Sequence, residues 1–342
     1  MATLRHREPR GAFRTRNASF TNTQTTGCHN ERYGRMSDIK NIGFIGIGKM
    51  GYPMAGHLAA AGFNVTVSDA DPNAVEKFVS EHGGQAAGSL AELARASDVV
   101  MTMLPTSKIV RTVVLGDNSG DDRLLDGFQA GGIFIDCSTS DPVDTRNLGA
   151  ELQKHGVQML DAPVAGGRVF AIDGTLDITV GGDSTLIETC RPVFDAIGQS
   201  VFHCGDLGAG HAMKALNNYV NASALITAIE ALSIGSRFGL GMDKMIESMT
   251  AAATGRNNPL EKKVIPQILT RRFATGMDLA LLAKDTRITV DMAEALGAFA
   301  PVAERCSALW SEAAEEFGAT EDQTCVAKLW EKNNQVTLVL DE

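Results

Sequence analysis

Two groups of residues in this chain could do chemistry. In GAGHAMKALNN, Lys214 and Asn218 stand four residues apart and share one face of what reads as a long helix, with Asn221 about a turn further on. A lysine can pass a proton to or from a reacting oxygen once its surroundings bring its pKa down from about 10.4. Burial does this, and so does the positive end of a helix, where the spacing puts Lys214 in the first turn. On helical spacing alone the same polar stripe would serve equally as the solvated side of a domain-linking helix, since Met213, Leu216, Val220 and Leu225 around it are apolar.

The second group is NIGFIGIGKMGYPMAGHLAAAGFNVTVSDADP. Asn41 to Ile45 reads as a buried strand, Gly46-Ile47-Gly48-Lys49-Met50-Gly51 as a glycine-rich turn, Tyr52 to Ala61 as a helix, and Asn64 to Ser68 as a second strand ending at Asp69. Gly46 permits the tight turn, Gly48 lets backbone approach a pyrophosphate, and Gly51 lets helix pack on strand. The helix N-terminus offers unpaired N–H groups to phosphates. Asp69 follows Gly48 by 21 residues, the distance at which a carboxylate reaches the adenosine ribose. A carboxylate there accepts from ribose hydroxyls and repels a 2′-phosphate, so the expected cofactor is NAD in preference to NADP. The simpler role for Asp69 is to cap the following turn.

Both groups need a scaffold to hold them. SDVVMTMLP, GGIFIDCSTSDP, VQMLDAPVAGG, TLDITVGG and SVFHCG read as further strands, mostly separated by helical stretches, which implies a mainly parallel sheet. Ligands in such sheets lie at the C-terminal strand ends, here Leu104-Pro105, Ser138-Thr139 and Ala165-Gly166-Gly167. From His211 to about Phe238 the pattern is one helix on the order of 40 Å long, and no convincing strand follows residue 205. The expected fold is an α/β Rossmann N-terminal domain (37–205) followed by an all-α C-terminal domain (206–342), joined by a long interdomain helix.

Composition narrows the function classes. At 342 residues with 44% hydrophobic content, the chain can bury two cores, and a net charge of −10 argues against a general nucleic-acid binder. Six scattered cysteines without a paired spacing suggest free thiols in a reducing compartment, and the seven histidines form no metal-ligand motif. No apolar run approaches a membrane span, so neither a membrane nor a metal is expected. Residues 1–36 are expected to be a disordered extension, with seven arginines and two acids before Met36. They read as an extension upstream of an ordinary start at Met36, giving a cytoplasmic protein, or as a transit peptide to the mitochondrial matrix.

GIGKMGYPM, the MLP loop, DCSTSDP, DAPVAGG, GAGHAMKALNN and LLAKD occur in the order seen in the β-hydroxyacid dehydrogenases, and the resemblance covers roughly residues 38 to 335. It implies hydride transfer between NAD(H) and a small anionic β-hydroxy acid or semialdehyde. It also implies that Lys214 is the catalytic lysine, that Asn218 holds lysine and substrate, and that Gly166 and Gly167 bind the substrate carboxylate. Leu104, Pro105 and Thr139 match cofactor contacts, and Lys284 matches a second lysine reaching back towards the nicotinamide. LLAKD would otherwise read as an exposed charge pair on a helix. The chain departs from the family where SGG becomes Ala165-Gly166-Gly167, and where Arg168 replaces a small or apolar residue. Arg168 either compensates for the missing hydroxyl, selects another anionic head group such as a sulfonate or second carboxylate, or pairs with Asp173 at the surface.

Other readings stay open at this point. They are a reductase of succinic semialdehyde or a sulfolactaldehyde-type acid, an imine reductase on the same scaffold (against which Lys214 counts), and a non-catalytic nucleotide-binding module. A homodimer or homotetramer is expected, with Leu309-Trp310 and Leu329-Trp330 either interface anchors or core.

Overall fold

The computed structural model describes residues 39–118, 120–252, 259–297 and 300–340; the expectations for residues 1–36 fall outside them. In chain order the elements are β1 (Asn41–Ile45), α1 (Gly51–Ala60), β2 (Asn64–Ser68), α2 (Pro72–His82), β3 (Gln85–Ala86), α3 (Leu90–Ala96), β4 (Val99–Thr102), α4 (Ser107–Leu115), β5 (Ile133–Asp136), α5 (Pro142–Lys154), β6 (Gln158–Asp161), β7 (Val164–Ala165), α6 (Arg168–Asp173), β8 (Leu176–Gly181), α7 (Ser184–Thr189), α8 (Arg191–Ile197) and β9 (Gly198–Gly205). The helical part follows as α9 (Ala209–Phe238), α10 (Met242–Ala252), α11 (Leu279–Ala295), α12 (Pro301–Phe317) and α13 (Ala327–Asn334).

The sheet runs β3-β2-β1-β4-β5-β6-β8-β7, with β9 beside β8. From β3 to β6 every pairing is parallel, the strand order of a Rossmann domain with its switch point between β1 and β4. Alternate residues of the central strands feed opposite cores. Ile42, Phe44, Met101 and Ile135 pack with α1 and α8, while Ile45, Val100 and Phe134 pack with α3, α4 and α5. That is the two-residue period of strands buried on both faces. VQMLDAPVAGG divides into two strands, and β8 pairs antiparallel with both.

The helical domain has its own core. Leu225, Ile229 and Leu232 of α9 meet Leu279, Leu282, Trp310 and Leu329. Trp310 is fully buried, so of the two roles open to it, it fills the core one, and Leu329 is buried alongside it. One segment is wider than an α-helix: Leu260–Leu269 is π-helical with Pro266 inside it. Proline removes one backbone donor, and irregular turns accommodate that loss better than a regular α-helix does.

The long helix also differs from its sequence reading at its start. It begins at Ala209, not His211, so Lys214 lies in the second turn. Its first amides are capped from a distance: Gly208 N and His211 N donate to the two carboxylate oxygens of Asp161, at 2.6 and 2.7 Å. Gly210 makes this docking possible, because a Cβ there would sit 2.5 Å from Thr179 O and 2.8 Å from Asp161 O.

Candidate active site

The glycine turn has the shape its sequence suggests. Gly46 has φ +90°, and a Cβ on it would meet Met103 O at 2.4 Å, so it touches the loop after β4. A Cβ on Gly51 would lie 1.9 Å from Gly46 O, which only glycine avoids. Around Gly48, by contrast, no atom lies within 4 Å of where a Cβ would be, leaving room for a phosphate against the backbone. Asp69 accepts from Ile47 N at 2.8 Å and from Asp71 N at 2.9 Å. Capping of α2 falls to Asp71, which accepts from Asn73 N. Asp69 therefore braces the glycine loop, and each of its oxygens keeps a further lone pair for a hydroxyl. Open space at Gly48 and free acceptor capacity at Asp69 fit a dinucleotide.

Lys284 joins the two domains. On α11, its ammonium donates to Pro105 O at 3.2 Å and to Thr139 O at 3.0 Å, and lies 3.0 Å from Asp285 Oδ1. Two of its N–H groups are thus taken up by the loops after β4 and β5, and a carboxylate stands beside it. Asp285 is 4% exposed, and its Oδ2 accepts from Asn218 Nδ2 at 2.7 Å. Oδ1 faces Lys284 without hydrogen-bond geometry. Leu104 N donates to Ser138 Oγ at 2.8 Å, tying the two loops together. A continuous set of contacts therefore runs from Leu104, Pro105 and Thr139 through Lys284 and Asp285 to Asn218.

Lys214 sits one turn before Asn218 on α9 and senses the same charges. Burial holds its pKa below 10.5, the Asp285 carboxylate opposes that shift, and the Lys284 ammonium adds to it. Burial dominates. The contribution expected from the helix terminus is weakened, because Lys214 is a turn further in and Asp161 compensates the free amides.

Gly166 and Gly167 form the exposed turn between β7 and α6, with Ala165 partly buried before them. Arg168 opens α6, is exposed, and lines a cavity of about 490 Å³ together with Ile47, Gly48, Lys49, Tyr52, Asn73 and Lys77. Lys214 and Asn218 are not on its wall. No ion pair joins Arg168 to Asp173 among the described residues. Met50 lies partly buried against the sheet core at the start of α1. Residue types alone did not single out Asp161, Asp136 or His211. The contacts that matter lie far away in sequence: Asp161 accepts from amides 47 and 50 residues on, and His211 meets Thr145 and Ser138 66 and 73 residues back. Among the described residues no cluster of three His, Cys, Asp or Glu side chains is placed to hold a metal ion. None of the helices there is long and apolar enough to cross a membrane.

Comparison with known proteins supports the fold and identifies the family. Residues 41–205 match the family model described as the NAD binding domain of 6-phosphogluconate dehydrogenase. Residues 208–330 match the one described as NAD-binding of NADP-dependent 3-hydroxyisobutyrate dehydrogenase. The chain is 34% identical to an NAD-dependent L-serine dehydrogenase of Pseudomonas aeruginosa, over 86% of this chain and 98% of that protein. It is 32% identical to a 2-(hydroxymethyl)glutarate dehydrogenase of Eubacterium barkeri, over 87% and 97% respectively. A solved structure of Mycobacterium tuberculosis 3-hydroxyisobutyrate dehydrogenase with L-serine superposes with a TM-score of 0.77 at 32% identity, covering 85% of this chain and 99% of that one. With the Rossmann order, the glycine turn and the lysine–asparagine helix in place, this chain belongs to the β-hydroxyacid dehydrogenase family.

Proposed function

We propose that the protein oxidises a small β-hydroxy acid to its semialdehyde, and reduces the semialdehyde back, with Lys214 as the proton carrier. The observation that supports this most is the lowered pKa of Lys214 beside the Asn218–Asp285–Lys284 contacts. Gly46 to Gly51 and Asp69 would hold the dinucleotide, with the loops of Leu104-Pro105 and Thr139 flanking its reactive end. When bound, the nicotinamide supplies the hydride acceptor or donor. In oxidation, neutral Lys214 takes the proton from the substrate hydroxyl; in reduction, its ammonium returns a proton to the developing alkoxide. Asn218 orients the substrate, and Asp285 fixes the Asn218 amide. The backbone of Gly166 and Gly167 offers donors to the substrate carboxylate.

L-Serine, 3-hydroxyisobutyrate and 2-(hydroxymethyl)glutarate, named for the relatives, share a primary hydroxyl β to a carboxylate. We infer that class here. Arg168 suits a second anionic group such as a carboxylate or sulfonate, although the cavity wall it shares with Gly48 and Lys49 also favours a contact with cofactor phosphate.

One panel tests these readings. Purified protein is assayed by NADH absorbance against 3-hydroxyisobutyrate, serine, 2-(hydroxymethyl)glutarate, glycerate, 4-hydroxybutyrate and a sulfonated analogue, with NAD and NADP in parallel. Turnover of at least one β-hydroxy acid is expected, with NAD preferred by about tenfold or more through Asp69. A clear NADP preference would remove the role given to Asp69, and no turnover of any acid would remove the dehydrogenase reading. Running Arg168→Ala on the same panel should reorder the acids if Arg168 reads the head group.

We further propose a homodimer or dimer of dimers. Met213, Leu216 and Val220 leave exposed apolar surface along α9 (46, 42 and 63% exposed), which supports association. Light scattering is expected to give a multiple of the 36.3 kDa chain mass, and a monomer would contradict it.

A further inference from the structure

His211 lies three residues before Lys214 and is fully buried, yet the reaction above makes no use of it. Its Nδ1 is 2.8 Å from Thr145 Oγ1, and its Nε2 is 3.0 Å from Ser138 O. Thr145 Oγ1 also lies 2.8 Å from Asp141 O. Ser138 O is a carbonyl and can only accept. Nε2 therefore carries a hydrogen and donates it to Ser138 O, while Nδ1 meets the Thr145 hydroxyl, so the ring ties α5 to the loop after β5.

Two carboxylates flank the ring. Asp136 Oδ2 is 3.7 Å from Nε2 and Asp161 Oδ2 is 3.7 Å from Nδ1, and both aspartates are buried. The carboxylates are themselves well satisfied. Asp136 accepts from Thr102 Oγ1, Ser138 N and Ser140 Oγ at 2.9, 2.9 and 2.7 Å. Asp161 accepts the two α9 amides already described.

This cluster joins the parts of the site that have to stay in register. Ser138 O, which takes the Nε2 hydrogen, belongs to the residue before Thr139, whose carbonyl takes Lys284. Ser138 Oγ takes the Leu104 amide. The ring therefore fastens the cofactor-side loops after β4 and β5 to the first turn of the helix that carries Lys214.

We propose that His211 is a positioning residue: a buried imidazole that donates from Nε2 to Ser138 O, meets Thr145 at Nδ1, and so sets the Ser138–Thr139 loop in register with Lys214. The proposal rests on Lys214 carrying the proton, and the tests separate the two.

The first test is spectroscopic. Nitrogen NMR of the full-length protein with ¹⁵N-labelled histidine, in which His211 is assigned by the loss of its signals in His211→Gln, is expected to show Nε2 carrying a hydrogen that is bonded to the Ser138 carbonyl. A bare Nε2 overturns the proposal. If the Gln variant does not fold, assignment through ring-to-backbone correlations in the wild type replaces it.

The second test is kinetic. A glutamine amide can replace only the Nε2 end of the ring, so His211→Gln should lower kcat by about tenfold or more. The KM values for acid and cofactor should stay within about twofold, because neither ligand touches the ring. An unchanged kcat overturns the positioning role, and so does a loss seen only in KM. If Lys214→Ala abolishes turnover while His211→Gln leaves kcat alone, only this inference fails. If Lys214→Ala is itself harmless, the assigned proton carrier fails first.

Discussion

Replacing Lys214 with alanine should lower turnover at least about a hundredfold, the usual cost of losing a positioned acid–base group, while NADH affinity stays within about twofold, since the side chain is assigned to substrate and not to the dinucleotide. Lys214→Arg should be nearly as inactive, because a guanidinium holds its proton throughout the accessible pH range. In the wild type, burial keeps the amine below 10.5. Oxidation should therefore rise with pH as Lys214 loses its proton, and reduction should fall over the same interval, with a midpoint below that of an ordinary lysine. The lysine limb should vanish from the alanine variant.

Stability gives an independent sign. A lysine whose pKa is lower folded than unfolded binds its proton more weakly in the native state, so it destabilises the fold at pH values below the folded pKa. The penalty is relieved as pH rises from the folded pKa towards 10.5. Lys214→Ala should therefore melt no lower than wild type at neutral pH, and the wild type should gain on it as the solution becomes alkaline. A variant that keeps near-normal turnover removes the proton-carrier assignment, whatever its stability.

How much of this was legible in sequence depended on how far apart the interacting residues lie. The β1–α1–β2 unit was readable almost to the residue: Asn41–Ile45 and Asn64–Ser68 are strands with the expected ends. Glycine spacing and strand alternation act over a few residues, so local pattern suffices there. The start of α9 was misplaced by two residues because the group that caps it, Asp161, is 47 residues away from Gly208. The contact between Asn218 and Asp285 spans 67 residues, and those of His211 with Thr145 and Ser138 span 66 and 73. No helical or strand period reports such pairings. Trp310 illustrates the same limit, because a tryptophan on an amphipathic helix has the same spacing whether it faces its own core or a partner. Lys214 and Lys284 could be selected from motif order, but the bond of Asp285 to Asn218 spans too much sequence to be read there.

That carboxylate supports the second large prediction. Asp285 is buried, binds Asn218, and stands against Lys284 while raising the pKa of Lys214. Asp285→Asn keeps the shape and removes the charge. Two ammonium groups then share the region without a counter-charge, so the pKa of Lys214 should fall further. Both pH limbs should move together to lower pH, oxidation starting earlier and reduction fading earlier, because one proton governs both directions. Lys284 loses the charge that holds it against Pro105 O and Thr139 O, so the loops after β4 and β5 loosen and turnover at neutral pH should drop by about a hundredfold. The variant should also be about 1–3 kcal/mol less stable, less than for a fully buried pair because the Lys284 side chain is 26% exposed. The direction of the pH shift is the decisive reading. A structural weakening alone would reduce the amount of active enzyme without moving its titration, and a shift to higher pH would mean that Asp285 does not act on Lys214 through its charge.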